Sequence, residues 1–137
     1  MKAVESYVSL WLTCYYAHKT FEQVPQRFDL ILLGMGEEGH TASLFPETPA
    51  LAETESWVVA VVSKDPPRVM LTYSILNSAS TVAFLVSGAN KVGALHEVID
   101  ESDAADLPPA ARIHPANGVL RFFIDNPAAS KLGGINS

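Results

Sequence analysis

The sequence predicts an α/β fold, with a mostly parallel β-sheet and flanking helices in a single domain over residues 1–137. Apolar runs of strand length alternate along the chain with segments of helical periodicity. The first such run, residues 28–35, is almost continuously apolar, which is typical of a strand buried on both faces of a parallel sheet. The composition, with 48% hydrophobic and 18% charged residues over 137 positions, suits one packed core.

The N-terminal segment, residues 3–24, contains neither proline nor glycine and is predicted to be a helix. Its apolar side chains would cover almost the whole circumference, and such a helix is normally buried on several sides. A domain of this size offers little surface to bury it, so we expect self-association or a covering partner. Residues 7–17 are apolar enough for a signal-peptide core, but no clear small-residue cleavage site follows them, so we interpret them as part of the helix.

Strands and helices then alternate to the C-terminus. After the first strand the sequence predicts a glycine-rich loop, a short helix at residues 40–45, a strand at residues 57–63, and a third strand or extended segment at residues 68–73. A further strand, an amphipathic helix, an acidic surface loop and a last strand are predicted at residues 81–86, 89–99, 100–109 and 119–124. Asp125 and Pro127 have the residue types of an N-cap and a first helical position, which predicts a closing helix.

Charge and cysteine content exclude several classes of function. The net charge is −6, with no block of like charge, so we expect no nucleic-acid partner and no anionic-membrane surface, although a small phosphorylated ligand remains compatible. Cys14 is the single cysteine, which excludes an intrachain disulfide and a cysteine-rich zinc site and fits a reducing, cytoplasmic location. No apolar run approaches the length of a membrane span.

The glycines of GMGEEG, residues 34–39, form a G-x-G-x-x-G pattern directly after the first strand, which is the signature of a dinucleotide-binding loop. The context argues against that function. Glutamates occupy the two variable positions, where carboxylates would crowd a pyrophosphate. Pro46 and Pro49 also limit the following helix to about two turns, which is too short for the crossover helix of a βαβ unit.

His40 follows these glycines at the end of the first predicted strand, where open α/β sheets bind their ligands. A capping or core histidine is the alternative interpretation. Because histidine is a suitable general base near neutral pH, His40 is a candidate catalytic residue. Glu38 is a candidate to orient its imidazole, and a solvated surface carboxylate is the alternative. No nucleophile elbow is present, and the other histidines show no metal-ligand spacing, so a base acting on water is the simplest chemistry.

The stretch GMGEEGHTASLFP, residues 34–46, closely resembles the 6-phosphogluconolactonase signature G-M-G-x-D-G-H-T-A-S-L-F-P. The resemblance continues in order, through residues 64–68, 84–88 and 91 to residues 107–108, 125 and 128–129. It implies a Rossmann-like α/β fold and hydrolysis of 6-phospho-D-glucono-1,5-lactone to 6-phosphogluconate in the oxidative pentose phosphate pathway, without metal or cofactor. His40 would be the general base, and substrate and phosphate binding would fall to Gly36, Gly39, Arg68 and Lys91.

Two departures from the family pattern bear on this expectation. Glu38 stands where the family usually has aspartate, which adds one methylene to that side chain. A complete family member is also nearly twice as long, and the part without a counterpart here is its N-terminal half. We therefore expect a truncated version of the family fold, and the missing half would explain why the first helix is apolar on all sides.

Two alternatives to the lactonase stay open. Glucosamine-6-phosphate deaminases share the fold, but their loop continues I-A-F-N-E-P with a glutamate that assists proton transfer, and Phe45 falls at that position here. The second alternative is a non-catalytic relative that binds a sugar phosphate or a partner chain.

Overall fold

The computed structural model describes residues 6, 28–46, 48–61, 68–100 and 107–133. Residue 6 is helical, and the rest of the predicted helix at residues 3–24, with Cys14 and His18, lies outside the described residues. So do residues 62–67, which contain part of the family resemblance and the end of one predicted strand, and most of the predicted acidic loop.

Within these residues, three strands form a parallel sheet and confirm the α/β prediction. They are β1 (Ile31–Gly34), β4 (Thr81–Val86) and β5 (Val119–Ile124), and β4 lies between the other two. Gly34 pairs with Leu85, and Leu85 pairs with Phe123, so the three strands end at the same edge. Because open α/β sheets bind ligands at the carboxyl ends of their strands, this edge is where the site is expected.

The sheet buries one face more completely than the other. Ile31 and Leu33 of β1 are buried with Val82 and Phe84 of β4, and the Phe84 ring stacks on Phe122 of β5 with centroids 5.0 Å apart. On the opposite face Leu32, Leu85 and Phe123 are each more than half exposed. The expectation that the first strand is buried on both faces is therefore wrong, because buried and exposed residues alternate along β1.

The remaining strands, β2 (Val58–Val61) and β3 (Arg68–Leu71), form a separate antiparallel ribbon. Strands were predicted here, but β3 ends before residue 73. The reason is Thr72, whose hydroxyl donates to the Ser56 carbonyl at 2.7 Å and whose N–H donates to the Trp57 carbonyl at 2.9 Å. The chain turns there into a single helical turn, α1 (Tyr73–Leu76).

The amphipathic helix after β4 is confirmed as α2 (Val92–Ile99), which a 3₁₀ turn at Ala89–Lys91 precedes. It buries Ala94, Leu95 and Val98, three side chains at helical spacing. Short 3₁₀ helices also occur at Pro49–Ala52 and Pro109–Arg112. Within the described ranges, no helix is both long and apolar enough to cross a membrane.

The predicted closing helix is reduced to one turn. As predicted, Asp125 caps the start: the Ala128 N–H donates to its carboxylate at 3.0 Å, and the Ala129 N–H donates to its carbonyl at 3.0 Å. The chain then continues as successive turns, with the Leu132 N–H donating to the Ala129 carbonyl at 3.0 Å. The predicted cap at Asp125 is therefore confirmed, but no regular helix follows it up to residue 133.

Candidate active site

The loop that follows β1 is folded back on itself by its own backbone. The Gly36 N–H donates to the His40 carbonyl at 2.9 Å, and the Gly39 N–H donates to the Gly36 carbonyl at 3.2 Å. The Thr41 hydroxyl, which is buried, donates to the Gly34 carbonyl at 2.7 Å. These bonds hold His40 at the carboxyl edge of the sheet, directly beyond the end of β1.

The segment after His40 is a tight turn and not the predicted short helix. The Leu44 N–H donates to the Thr41 carbonyl at 2.7 Å, and the two central residues have positive φ angles, 49° for Ala42 and 63° for Ser43. Positive φ at both central positions defines a type I′ turn, which non-glycine residues adopt only at a cost in backbone strain. The prediction of a helix at residues 40–45 is wrong because Ala42 and Ser43 adopt positive φ angles, which their residue types do not indicate.

The His40 imidazole lies against the backbone of Gly36 and the ring of Phe45. A side chain at Gly36 would overlap the imidazole, so the absence of a Cβ there makes room for the ring. The centroids of the His40 and Phe45 rings are 4.7 Å apart. The Nδ1 atom of His40 is buried and has no hydrogen-bond partner among the described residues. Buried polar atoms without a partner are few in folded proteins, and a catalytic function is one of the explanations for them.

A cleft of about 310 Å³ opens beside His40 and brings three of the predicted site residues together. It is lined by Gly36, His40 and Arg68, together with the residues of β1's end and of the tight turn: Gly34, Met35, Thr41, Ala42, Ser43 and Phe45. Arg68 begins β3 and is exposed. The cleft therefore combines an imidazole with a guanidinium, and none of its lining residues within the described part of the chain is acidic.

Two other predicted site residues, Glu38 and Gly39, do not line the cleft beside His40. Glu38 is exposed and lines a second cavity, of about 210 Å³, with Glu97 and Arg112 among its other lining residues. No hydrogen bond joins the described side chains of Glu38 and His40. Gly39 is buried, has a positive φ of 68°, and accepts a hydrogen bond on its carbonyl from the Ala110 N–H at 2.9 Å. In this structure Gly39 shapes the loop and does not line the cleft.

Lys91 lies on the loop after β4, at the end of the 3₁₀ turn, and does not line the cleft. Its loop is nevertheless connected to the His40 loop. The Asn90 Nδ2 atom donates to the Glu37 Oε1 atom at 2.6 Å, across 53 residues of sequence.

Sequence reasoning missed the part that Asp125 plays at this edge of the sheet. Its carboxylate accepts hydrogen bonds from the Ser87 hydroxyl at 2.6 Å and from the Gly88 N–H at 3.1 Å, besides the one from Ala128. These bonds, led by that from Ser87, lower the pKa of Asp125. Gly88 has a φ of 101°, which a glycine adopts readily. The sequence contains Ser87, Gly88 and Asp125 but does not show that they are in contact. The pairing of β4 with β5 brings the ends of the two strands together and so allows these hydrogen bonds.

The chain matches a family model described as glucosamine-6-phosphate isomerases/6-phosphogluconolactonase over residues 11–122. The protein belongs to this family. The sequence resemblance to 6-phosphogluconolactonases is thereby confirmed, and so is the fold that it implied.

Individual relatives agree with the family model. A probable 6-phosphogluconolactonase 1 of Arabidopsis thaliana is 46% identical over 112 residues, which cover 77% of this chain and 42% of that protein. The human 6-phosphogluconolactonase is 44% identical over 109 residues, again 77% of this chain and 42% of the relative. The chain thus spans less than half the length of these curated relatives.

Among solved structures, the 6-phosphogluconolactonase of Trypanosoma brucei superposes with a TM-score of 0.75 at 28% identity, covering 96% of this chain and 53% of that one. The described fold is therefore about half of a larger family fold. Within the part of the chain that the structure describes, no cluster of three or more potential metal ligands is present.

Proposed function

We propose that this protein hydrolyses 6-phospho-D-glucono-1,5-lactone to 6-phosphogluconate, with His40 as the general base. The observation that carries the proposal is the shared cleft of His40 and Arg68 at the carboxyl edge of the sheet. A lactone that carries a phosphate requires a base for water and a cation for the phosphate. Membership of a family whose relatives are named 6-phosphogluconolactonase supports the same reaction.

The proposed chemistry needs only the side chains of this cleft. The neutral His40 imidazole takes a proton from water while the water oxygen attacks the lactone carbonyl carbon. The tetrahedral intermediate then collapses with cleavage of the bond between that carbon and the ring oxygen. The imidazolium returns its proton to the departing ring oxygen, so the products are a carboxylic acid and a free hydroxyl, and the histidine is restored.

Arg68 is proposed to hold the substrate phosphate. A guanidinium donates two parallel hydrogen bonds to a phosphate, and no described residue that lines the cleft with Arg68 is acidic. Lys91 is proposed as a second cation toward the same phosphate, on the neighbouring loop. Gly36 contributes by leaving space for the His40 ring. The proposed small-molecule partner is accordingly a phosphorylated sugar lactone, with neither nucleic acid nor membrane as a partner. Self-association or a covering partner chain for the apolar helix predicted at residues 3–24 is part of the same proposal.

The reaction would be the second step of the oxidative pentose phosphate pathway, and we propose a cytoplasmic location. The single cysteine fits a reducing compartment. Related proteins of rice are named as chloroplastic, so fluorescence microscopy of a tagged full chain against a chloroplast marker is the measurement that decides the compartment.

The test compares the wild-type chain and His40→Ala with the spontaneous hydrolysis of freshly prepared lactone near neutral pH. We expect a rate above the spontaneous background in the wild type and a loss of at least about 100-fold in His40→Ala. His114→Ala is the matched control, because His114 lies outside the cleft and is exposed. Circular dichroism establishes that each protein is folded. Folded wild-type protein with no rate above background would contradict the proposal and favour the non-catalytic alternative.

A further inference from the structure

One side-chain hydrogen bond joins the loop that carries His40 to the loop that carries Lys91. The Asn90 Nδ2 atom donates to the Glu37 Oε1 atom at 2.6 Å. The two loops are neighbours because β1 and β4 are adjacent parallel strands, with Gly34 paired to Leu85 at their ends. Within the described part of the chain, no other hydrogen bond connects residues 35–40 to residues 87–91.

Each of the two loops is also held by hydrogen bonds that do not involve the other loop. The loop after β4 is anchored to β5 through Asp125, which accepts from Ser87 and Gly88. The loop after β1 is closed on itself between Gly36 and His40, and the Gly39 carbonyl accepts from the Ala110 N–H. The Glu37–Asn90 hydrogen bond therefore connects the His40 loop, through the β4 loop, to the aspartate at the end of β5.

We propose that Glu37 and Asn90 are positioning residues, which hold the His40 loop at a set distance from the Lys91 loop. This inference rests on the proposed function, since the distance matters if His40 activates water while the substrate phosphate is held nearby. Neither side chain lines the cleft, so neither is expected to touch the substrate. A misplacement of about 1 Å between a base and its substrate can lower a rate by as much as 100-fold.

The chemistry of the pair allows the hydrogen bond to be separated from the charge. An ionised carboxylate only accepts hydrogen bonds, so the amide nitrogen of Asn90 must be the donor. A glutamine at position 37 retains a carbonyl oxygen as acceptor while removing the negative charge. Glu37→Gln therefore keeps the proposed function of the residue, whereas Glu37→Ala removes it. Both side chains are exposed to solvent, so the effect is expected to be moderate.

The experiment measures kcat and KM for the lactone in Glu37→Ala, Asn90→Ala, the double variant and Glu37→Gln. Each alanine variant is expected to lower kcat by about tenfold with KM nearly unchanged, and the double variant to lose no more than either single one. Glu37→Gln is expected to stay within about twofold of the wild type. Glu55→Ala and Asn117→Ala are the controls, because both residues are exposed and lie outside the two loops. Losses that multiply in the double variant, or a Glu37→Gln as slow as Glu37→Ala, would overturn the proposal.

A second measurement keeps this inference distinct from the proposed function. Amide hydrogen exchange of Gly36 and Gly39, whose N–H groups close the His40 loop, is followed in the same variants. Faster exchange in both alanine variants, with wild-type rates in Glu37→Gln, is the expected result and requires no enzymatic activity. If the wild type lacks lactonase activity, the proposed function fails and the exchange rates alone decide: equal rates in all variants would overturn the positioning function.

Discussion

Two cavities flank the His40 loop, and side chains two positions apart in the sequence line different ones. His40 faces the cleft of about 310 Å³ with Arg68, whereas Glu38 lines the cavity of about 210 Å³ with Glu97 and Arg112. The residue between them, Gly39, has a φ of 68° and turns the backbone. Proximity in sequence therefore does not imply a shared site when a residue with positive φ lies between two side chains.

The two cavities also differ in charge. Counting only residues that the structure describes, one cation and no carboxylate line the cleft beside His40, while two carboxylates and one cation line the second cavity. Since carboxylates repel a phosphate and a guanidinium attracts it, the first cavity is the better receptor for a phosphorylated substrate. The comparison shows that Glu38 and His40, which the sequence spacing suggested as a pair, line different cavities. Arg68, which is distant in the sequence, lines the same cleft as His40.

The largest expected effect distinguishes the arginines of the two cavities. Arg68→Ala is expected to raise KM for the lactone by about 10- to 100-fold, because it removes charged hydrogen bonds of about 1.5–3 kcal/mol from the phosphate. Arg68→Lys should recover part of the affinity, since lysine keeps the charge but not the bidentate geometry. Arg112→Ala is the matched control in the second cavity and should stay near the wild type. Steady-state kinetics that give equal effects for Arg68→Ala and Arg112→Ala would remove the distinction between the cavities.

A second prediction concerns the residue that separates the cavities. Gly39→Ala is expected to lower the free energy of unfolding by about 1–3 kcal/mol, because it forces a Cβ into a strained backbone conformation. That Cβ would also lie 2.5 Å from the Cβ of Pro108. Gly93→Ala, in α2 with open space around its Cα, should leave the stability unchanged or raise it by up to about 1 kcal/mol. Urea denaturation measures both, and a neutral Gly39→Ala would show that the loop does not depend on this conformation.

The third prediction concerns how the stability that the Asp125 carboxylate contributes depends on pH. This carboxylate holds the loop after β4 through Ser87 and Gly88. Hydrogen bonds from Ser87, Ala128 and Gly88 lower the pKa of Asp125 in the folded state. The stability that this carboxylate contributes is therefore fully present above its unfolded pKa of about 3.9 and is lost as the pH falls through the folded value.

Asp125→Asn should accordingly have a lower Tm than the wild type at neutral pH, with the difference shrinking below about pH 4. Thermal unfolding from pH 2 to 7 measures this, and Asp29→Asn, at an exposed position before β1, is the control. A Tm difference that does not change with pH would show that the charge of Asp125 is unimportant to the anchor.

The smallest effect is expected at Glu38. Glu38→Gln should change kcat by less than about threefold, because its exposed carboxylate makes no hydrogen bond to His40 and surface substitutions are usually near neutral. Glu97→Gln, in the same cavity, is the matched control. A tenfold or larger loss in kcat at Glu38 alone would return this residue to the catalytic group that the sequence predicted.

The sequence by itself determined the local features. Each feature that could be predicted is a pattern of neighbouring residues. These features are the apolar runs of β1, β4 and β5, the helical spacing of α2 and the signature around His40. Family membership followed from the same signature, because a motif is a contiguous pattern.

Only the tertiary structure decided which side chains meet. The shared cleft of Arg68 and His40, the hydrogen bond from Asn90 to Glu37 and that from Ser87 to Asp125 join residues 28, 53 and 38 positions apart. The strand order of the parallel sheet brings the two hydrogen-bonded pairs together, and the placement of the β2–β3 ribbon brings Arg68 to the cleft. The tight turn at Ala42 and Ser43, and the separation of Glu38 from His40, depend on positive φ angles. Packing selects such conformations against local preference, so the residue types alone do not reveal them.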